Sequence, residues 1–155
     1  MLSRCGSDEE RGRGDNDVGA DELNAGQPVA AAVERDQCIN LKDAVKDNEF
    51  YRKVLFTGQN SQLVVMTLAP GEEIGFETHA VDQFIYVVKG EGRSVIGKDT
   101  AEFEEGNAIC IPAGEFHNVV NTDDKPMKLF TIYSPPQHPA NLTQETKPAE
   151  ATATA

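Results

Sequence analysis

The chain holds three histidines, and two of them, His79 and His117, lie just after glycine-containing turns and beside apolar, strand-like residues. Glu77 stands two residues before His79 and Gln83 four residues after it. Along a strand, residues two apart point to the same face. Glu77 and His79 therefore share a face, and Gln83 joins them if pairing continues through Ala80, Val81 and Asp82. His117 comes from a second strand far along the chain. Carboxylate, imidazole and amide donors converging in this way suit one divalent first-row metal ion, with ligand bonds of about 2.0–2.2 Å. Taken singly, Glu77 and His79 read as polar residues at a strand edge, and His117 as a lone histidine after a Pro-Ala-Gly turn. The full spacing carries the metal reading.

The elements that must hold these side chains are short strands. Tyr51 to Phe56 and Gln62 to Leu68 are rich in Val and Leu, and a Gly-containing connection joins them, which is a hairpin signal. Val81 to Val88, Arg93 to Ile96, Ala101 to Phe103, Ala108 to Pro112, His117 to Val120 and Pro126 to Tyr133 continue the series. Ile39 to Val45 reads as a short strand followed by a helical turn. Short strands with Gly, Pro and Asn/Asp punctuation and no long helix indicate an all-β sandwich or barrel. Residues 1–37 carry few large apolar side chains and cannot offset the entropy of ordering, so they read as a disordered acidic extension. Residues 38–136 form the folded domain, and 137–155 a flexible C-terminal tail.

Gly71-x5-Glu77-x-His79-x3-Gln83-x6-Gly90 resembles the first cupin motif, and Gly106-x5-Pro112-x-Gly114-x2-His117-x3-Asn121 matches the second in full. The common first motif has His where Glu77 stands and Glu where Gln83 stands. The exchange keeps one carboxylate at the site. The stretches Phe50 to Gly58, Gln62 to Met66, Val81 to Phe84 and Tyr133 to Pro139 narrow the resemblance to small single-domain cupins labelled mannose-6-phosphate isomerase-like. In that group the Glu-x-His and Asp-Gln-Phe forms are usual. The resemblance covers about residues 39–147. It implies a single cupin jelly-roll β-barrel and one divalent transition metal (Mn, Fe, Co, Ni or Zn) on Glu77, His79 and His117, with Gln83 as a labile fourth ligand.

Fourteen Lys and Arg against 26 Asp and Glu give a net charge of −12. That balance speaks against a nucleic-acid or anionic-membrane partner. No stretch approaches a membrane helix, and the N-terminus has no apolar core of a secretory signal. Cys5, Cys38 and Cys110 lack metal or redox spacing and read as free thiols of a cytoplasmic protein. Cys110, between Ile109 and Ile111, reads as core. His138 reads as a surface-loop histidine, and Lys89 and Arg93 as the cations nearest the site. Phe84, Tyr86 and Val88 form an outward apolar strip whose expected cover is a second copy, a homodimer.

The expected function is a metalloenzyme acting on a small oxygenated metabolite, isomerase-like or dioxygenase-like. Glu77 is engaged as a ligand and no separate general base is evident, which weakens the isomerase label. A non-catalytic module binding a metabolite or metal is the alternative, and a purely structural interaction domain the third reading.

Overall fold

The computed structural model describes residues 38–149, and a compact unit begins at Asn40. The expected acidic extension, residues 1–37, lies outside the described residues. The described residues form one helix, α1 (Leu41–Asp47), and nine strands: β1 (Arg52–Thr57), β2 (Gln62–Leu68), β3 (Asp82–Lys89), β4 (Gly92–Ile96), β5 (Asp99–Phe103), β6 (Ala108–Ile111), β7 (His117–Asn121), β8 (Met127–Ser134) and β9 (Thr143–Gln144). Asn40 caps α1 by accepting from the Asp43 amide, and Asp43 and Lys46 complement the helix dipole at its two ends. Val45, the helix's buried apolar residue, anchors it.

The strands build a six-stranded sheet in the order β6-β3-β8-β2-β1-β9 and a three-stranded sheet in the order β5-β4-β7. All pairings are antiparallel. This is the all-β jelly-roll topology that was expected, but not a barrel. Among the described residues no ladder joins a strand of one sheet to a strand of the other, so the two sheets do not close into a barrel. The arm before β3 reaches β7 only through single bridges, Glu73 with Val120 and Glu77 with His117.

Register decides which side chains face the core. Across the larger sheet, Gln83, Tyr133 and Gln62 stand opposite one another, as do Ile85, Thr131 and Val64, and then Val87, Leu129, Met66 and Arg52. These rows face inward and meet Phe103 and Val119 of the smaller sheet in one apolar cluster. The same alternation corrects one expectation. Ile109 and Ile111 point inward, so Cys110 between them is exposed and free rather than core. Cys38 is disulfide-bonded, so among the described residues the free-thiol expectation holds for Cys110 alone.

The segment expected to be a flexible tail supplies β9, which pairs with β1. Gln62, fully buried, holds the chain leading to it. Its Nε2 donates to the His138 carbonyl at 2.9 Å and to Thr57 Oγ1 at 3.0 Å, while its Oε1 accepts from the amides of Gln137 and His138. Gln62→Ala removes all four bonds. It should cost about 2–3 kcal/mol, at roughly 1 kcal/mol per lost bond less what water recovers. Hydrogen exchange should then show lost protection at the 137 and 138 amides; unchanged protection there would refute this anchoring role.

Candidate metal centre

Glu77 and His117 exchange both backbone hydrogen bonds, each at 3.0 Å. Residues paired in this way place their side chains next to each other on one face. His79 follows two residues on, and its carbonyl accepts from the Gly114 amide at 2.7 Å. Gly114 sits at φ 85°, and a Cβ there would meet nothing within 4 Å, so the glycine serves conformation rather than space. Asp82 Oδ1 accepts from the Ala113 amide at 2.9 Å and ties this turn to the start of β3.

Glu77 Oε1 lies 2.9 Å from His79 Nε2 and 3.6 Å from His117 Nε2. One donor atom from each residue falls within 4.8 Å of the others. His117 Nδ1 lies 2.8 Å from the Glu115 carbonyl, which suits a ring whose Nδ1–H donates there and whose Nε2 lone pair is turned to the site. Glu77 Oε1, His79 Nε2 and His117 Nε2 are all buried, and their only partners are one another. Three electron-pair donors buried side by side are costly unless something occupies them. Their chemistry, two imidazoles and a carboxylate, fits a divalent first-row ion.

Burial pushes the Glu77 carboxyl up, but the His117 and His79 imidazoles and the Arg52 charge together hold it down at about 2. For His117, burial pushes downward, yet the Glu77 carboxylate and the Glu115 carbonyl raise it above its ordinary 6.5. Metal must displace the proton from His117. Metal-dependent stabilisation should therefore be full above the raised His117 value and fade as pH falls below it. Thermal melts with and without zinc across pH 5–8 should converge at the acid end; a constant difference would contradict this assignment.

Gln83, on β3, is also buried. Its Nε2 donates to Thr131 Oγ1 and to the Tyr133 hydroxyl, each at 3.2 Å, and its Oε1 is left without a partner. The four sequence-predicted ligands thus each present a buried ligand atom with no partner outside the site. The structure groups three of them, Glu77, His79 and His117, in one cluster.

Other residues depart from expectation. His138 is half-buried rather than a surface-loop residue, its ring edge-on to Tyr133 at 5.0 Å, and Tyr133 in turn stands edge-on to His79 at 5.8 Å. Burial, with the Arg52 charge and His79, lowers His138 to about 4, so it is neutral at pH 7. Burial pushes the Tyr133 phenol up. Lys89 and Arg93 are exposed, whereas Arg52 is buried and its charge reaches Glu77, Tyr133 and His138. Arg52 was legible in principle: it lies two residues before Val54, on the inward face of β1. Phe76 and Phe116 point away from the ligands, as alternation requires, and stack on each other at 4.8 Å while remaining exposed.

The Cupin domain family model matches residues 64–133. YrkC, an uncharacterized protein of Bacillus subtilis, is 43% identical over 116 residues, which cover 70% of this chain and 62% of YrkC. An uncharacterized protein of Acanthamoeba polyphaga mimivirus is 42% identical over 106 residues, covering 65% of this chain and 66% of its own length. The chain thus spans just under two thirds of each of these two curated relatives. The crystal structure of BH2720 from Bacillus halodurans superposes with a TM-score of 0.71 at 40% identity, covering 74% of this chain and 92% of that one. With this jelly-roll topology and the Cupin domain match over residues 64–133, the chain has the cupin superfamily fold.

Proposed function

We propose that this protein binds one divalent metal on Glu77, His79 and His117, with Gln83 as a weaker fourth ligand, and acts as a metalloenzyme on a small oxygenated metabolite. The observation that carries the reading is the set of three buried ligand atoms within 4.8 Å of one another, with no partner outside the cluster. When bound, the metal would supply Lewis-acid polarisation of a substrate oxygen. The chain's own residues set the rest. Thr131 and Tyr133 hold the Gln83 amide so that its oxygen, not its nitrogen, is unengaged. The Glu115 carbonyl orients His117, and the Tyr133 ring packs between His79 and His138.

Isomerase-like and dioxygenase-like chemistry both remain within this reading. His138 is the one further imidazole at the site, but its lowered pKa makes it a weak base. That favours a reaction that needs no strong protein base. A non-catalytic metabolite-binding or metal-binding module is the second reading, favoured by the weak basicity of His138.

Turnover separates the two. The reconstituted full chain, assayed by mass spectrometry on a panel of hydroxy-carbonyl compounds and sugar phosphates with and without O₂, should convert at least one. Binding without conversion across the panel would favour the module. Gln83→Ala should keep the metal with about tenfold weaker affinity, the size of effect expected for a neutral or outer ligand. Unchanged affinity would remove Gln83 from the ligand set.

A homodimer is proposed through the outer face of β6, β3 and β8. There Phe84, 39% exposed, pairs across strands with Cys110 and Ile132. Tyr86 stacks with Phe130 at 5.4 Å on the same face. Sedimentation should give a dimer at micromolar concentration and a monomer for Phe84→Arg; a monomeric parent chain would sink the proposal.

A further inference from the structure

Among the described residues, Arg52 is the buried side chain on the inner face whose full positive charge has no ion-pair partner. It is 9% exposed, and its cross-strand neighbour Met66 belongs to the inward row of the larger sheet. Among the described residues no Asp or Glu pairs with it. Its Nη1 donates to Gln144 Oε1 of β9 at 3.0 Å, and its guanidinium lies over the Tyr51 ring at 5.1 Å. Both partners are neutral. Its Nε is buried without any partner. Guanidinium stays protonated at every physiological pH, so burial cannot be relieved by losing the charge. Buried charges are ordinarily paired.

The neighbours narrow what could complete it. His138 Nε2 is also buried without a partner, and its ring stands edge-on to Tyr133. Glu77 is the carboxylate whose interaction with Arg52 is felt, but the two form no ion pair, and a metal on Glu77 would take up that charge. What is missing is a mobile anion. The Nε edge of a guanidinium presents parallel donors matched to the two oxygens of a carboxylate. The Tyr51 face and the Gln144 oxygen fix the plane of the group, so little entropy is lost when an anion docks.

We propose that Arg52 is the anion-recognition residue of this site and receives the carboxylate of a small organic acid that also engages the Glu77–His79–His117 centre. The proposal rests on the metal reading for the second end of that ligand, but not for the contact at Arg52. It deepens the functional reading by naming the substrate class, small carboxylates rather than neutral sugars. Neither Lys89 nor Arg93 shares this role, since both are exposed.

Calorimetric titration of the full chain, metal-free and zinc-loaded, with acetate, pyruvate and malonate tests it, with malonamide as the neutral control. At least one carboxylate should bind the parent chain while malonamide does not. Arg52→Gln should weaken that binding about tenfold or more, and Arg52→Lys should also weaken it, because an ammonium lacks the planar fork. Zinc affinity should stay within about twofold in Arg52→Lys, which keeps the charge that acts on Glu77, and this separates a recognition role from a general loss of structure. If Arg52→Gln does not fold, Arg52→Lys decides alone. Equal carboxylate binding by the folded variants and the parent, or no carboxylate binding by the parent in either metal state, would overturn the proposal. Failure of the parent to bind zinc would instead sink the metal reading, while the metal-free titration still scores Arg52.

Discussion

His117→Ala should lower the chain's affinity for zinc by about a hundredfold or more. Four-ligand zinc sites are worth roughly 10–16 kcal/mol at neutral pH, so one ligand carries on the order of 3 kcal/mol, and each 1.4 kcal/mol is tenfold. His117 is 2% exposed and rigidly set by its paired backbone with Glu77 and by the Glu115 carbonyl, so no other imidazole can swing into its place. His138 is the remaining histidine, and its segment is fixed by Gln62. Competition with a chromophoric chelator measures the change. A loss smaller than about threefold, with the fold intact by circular dichroism, would remove His117 from the ligand set. His79→Ala should behave alike, since His79 Nε2 is the atom nearest Glu77 Oε1.

Gly92→Ala should be the most destabilising single-methyl change among the described glycines. A Cβ at Gly92 would sit 2.3 Å from the Val120 carbonyl oxygen, 2.5 Å from Phe103 Cζ and 2.8 Å from Met127 Cε. The nearest of these is backbone of β7, which pairs with β4 and cannot swing aside. Overpacking of this kind costs about 3 kcal/mol or more when the obstruction is not a flexible side chain. For a domain of this size that is a fall in melting temperature of roughly 10–20 °C. Gly71 gives the contrast. Its φ is 74°, but nothing lies within 4 Å of a Cβ there, so Gly71→Ala should cost only the left-handed conformation, about 1–2 kcal/mol. Thermal melts of the pair should rank them in that order. Equal or reversed losses would show that the close approach of β4 to β7 is not what requires Gly92.

The difference between those two glycines marks what the sequence could and could not reveal. Gly71 stands in a Pro-Gly dipeptide whose turn chemistry is local, so its role is legible from its neighbours. Gly92 is required by residues 28 and 35 positions away, Val120 and Met127, and no local pattern announces that. The strands follow the same division. Apolar runs bounded by Gly, Pro and Asn/Asp located β2 to its ends and the other main strands within a residue or two, because both signals are written in each segment alone. β9, two residues long with no apolar alternation, exists only because Arg52 and Lys53 present an edge to it. Closure into a barrel depends on whether distant ladders join, and among the described residues they do not.

The site divides in the same way. Glu77, His79 and His117 were recognisable by spacing, and paired backbone at Glu77 and His117 supplies the physical reason that they meet. Arg52 was not among the candidates, and His138 was read from its sequence neighbourhood alone. Lys89 and Arg93 were read as the cations nearest the site, whereas Arg52, which shares a face with Val54, is the buried one. His138, in a Pro-rich stretch, looked like loop, and only the bonds from Gln62 bring it against Tyr133.

The central claim is that three buried atoms with no partner outside their cluster form a single metal site. Native mass spectrometry of the full chain, reconstituted in turn with zinc, manganese, iron(II), cobalt and nickel, tests it most directly. The account predicts a mass shift of one ion per chain for at least one of these metals, and no shift for His117→Ala under the same conditions. A parent chain that takes up none of the five, or a His117→Ala chain that retains a full equivalent, would contradict it.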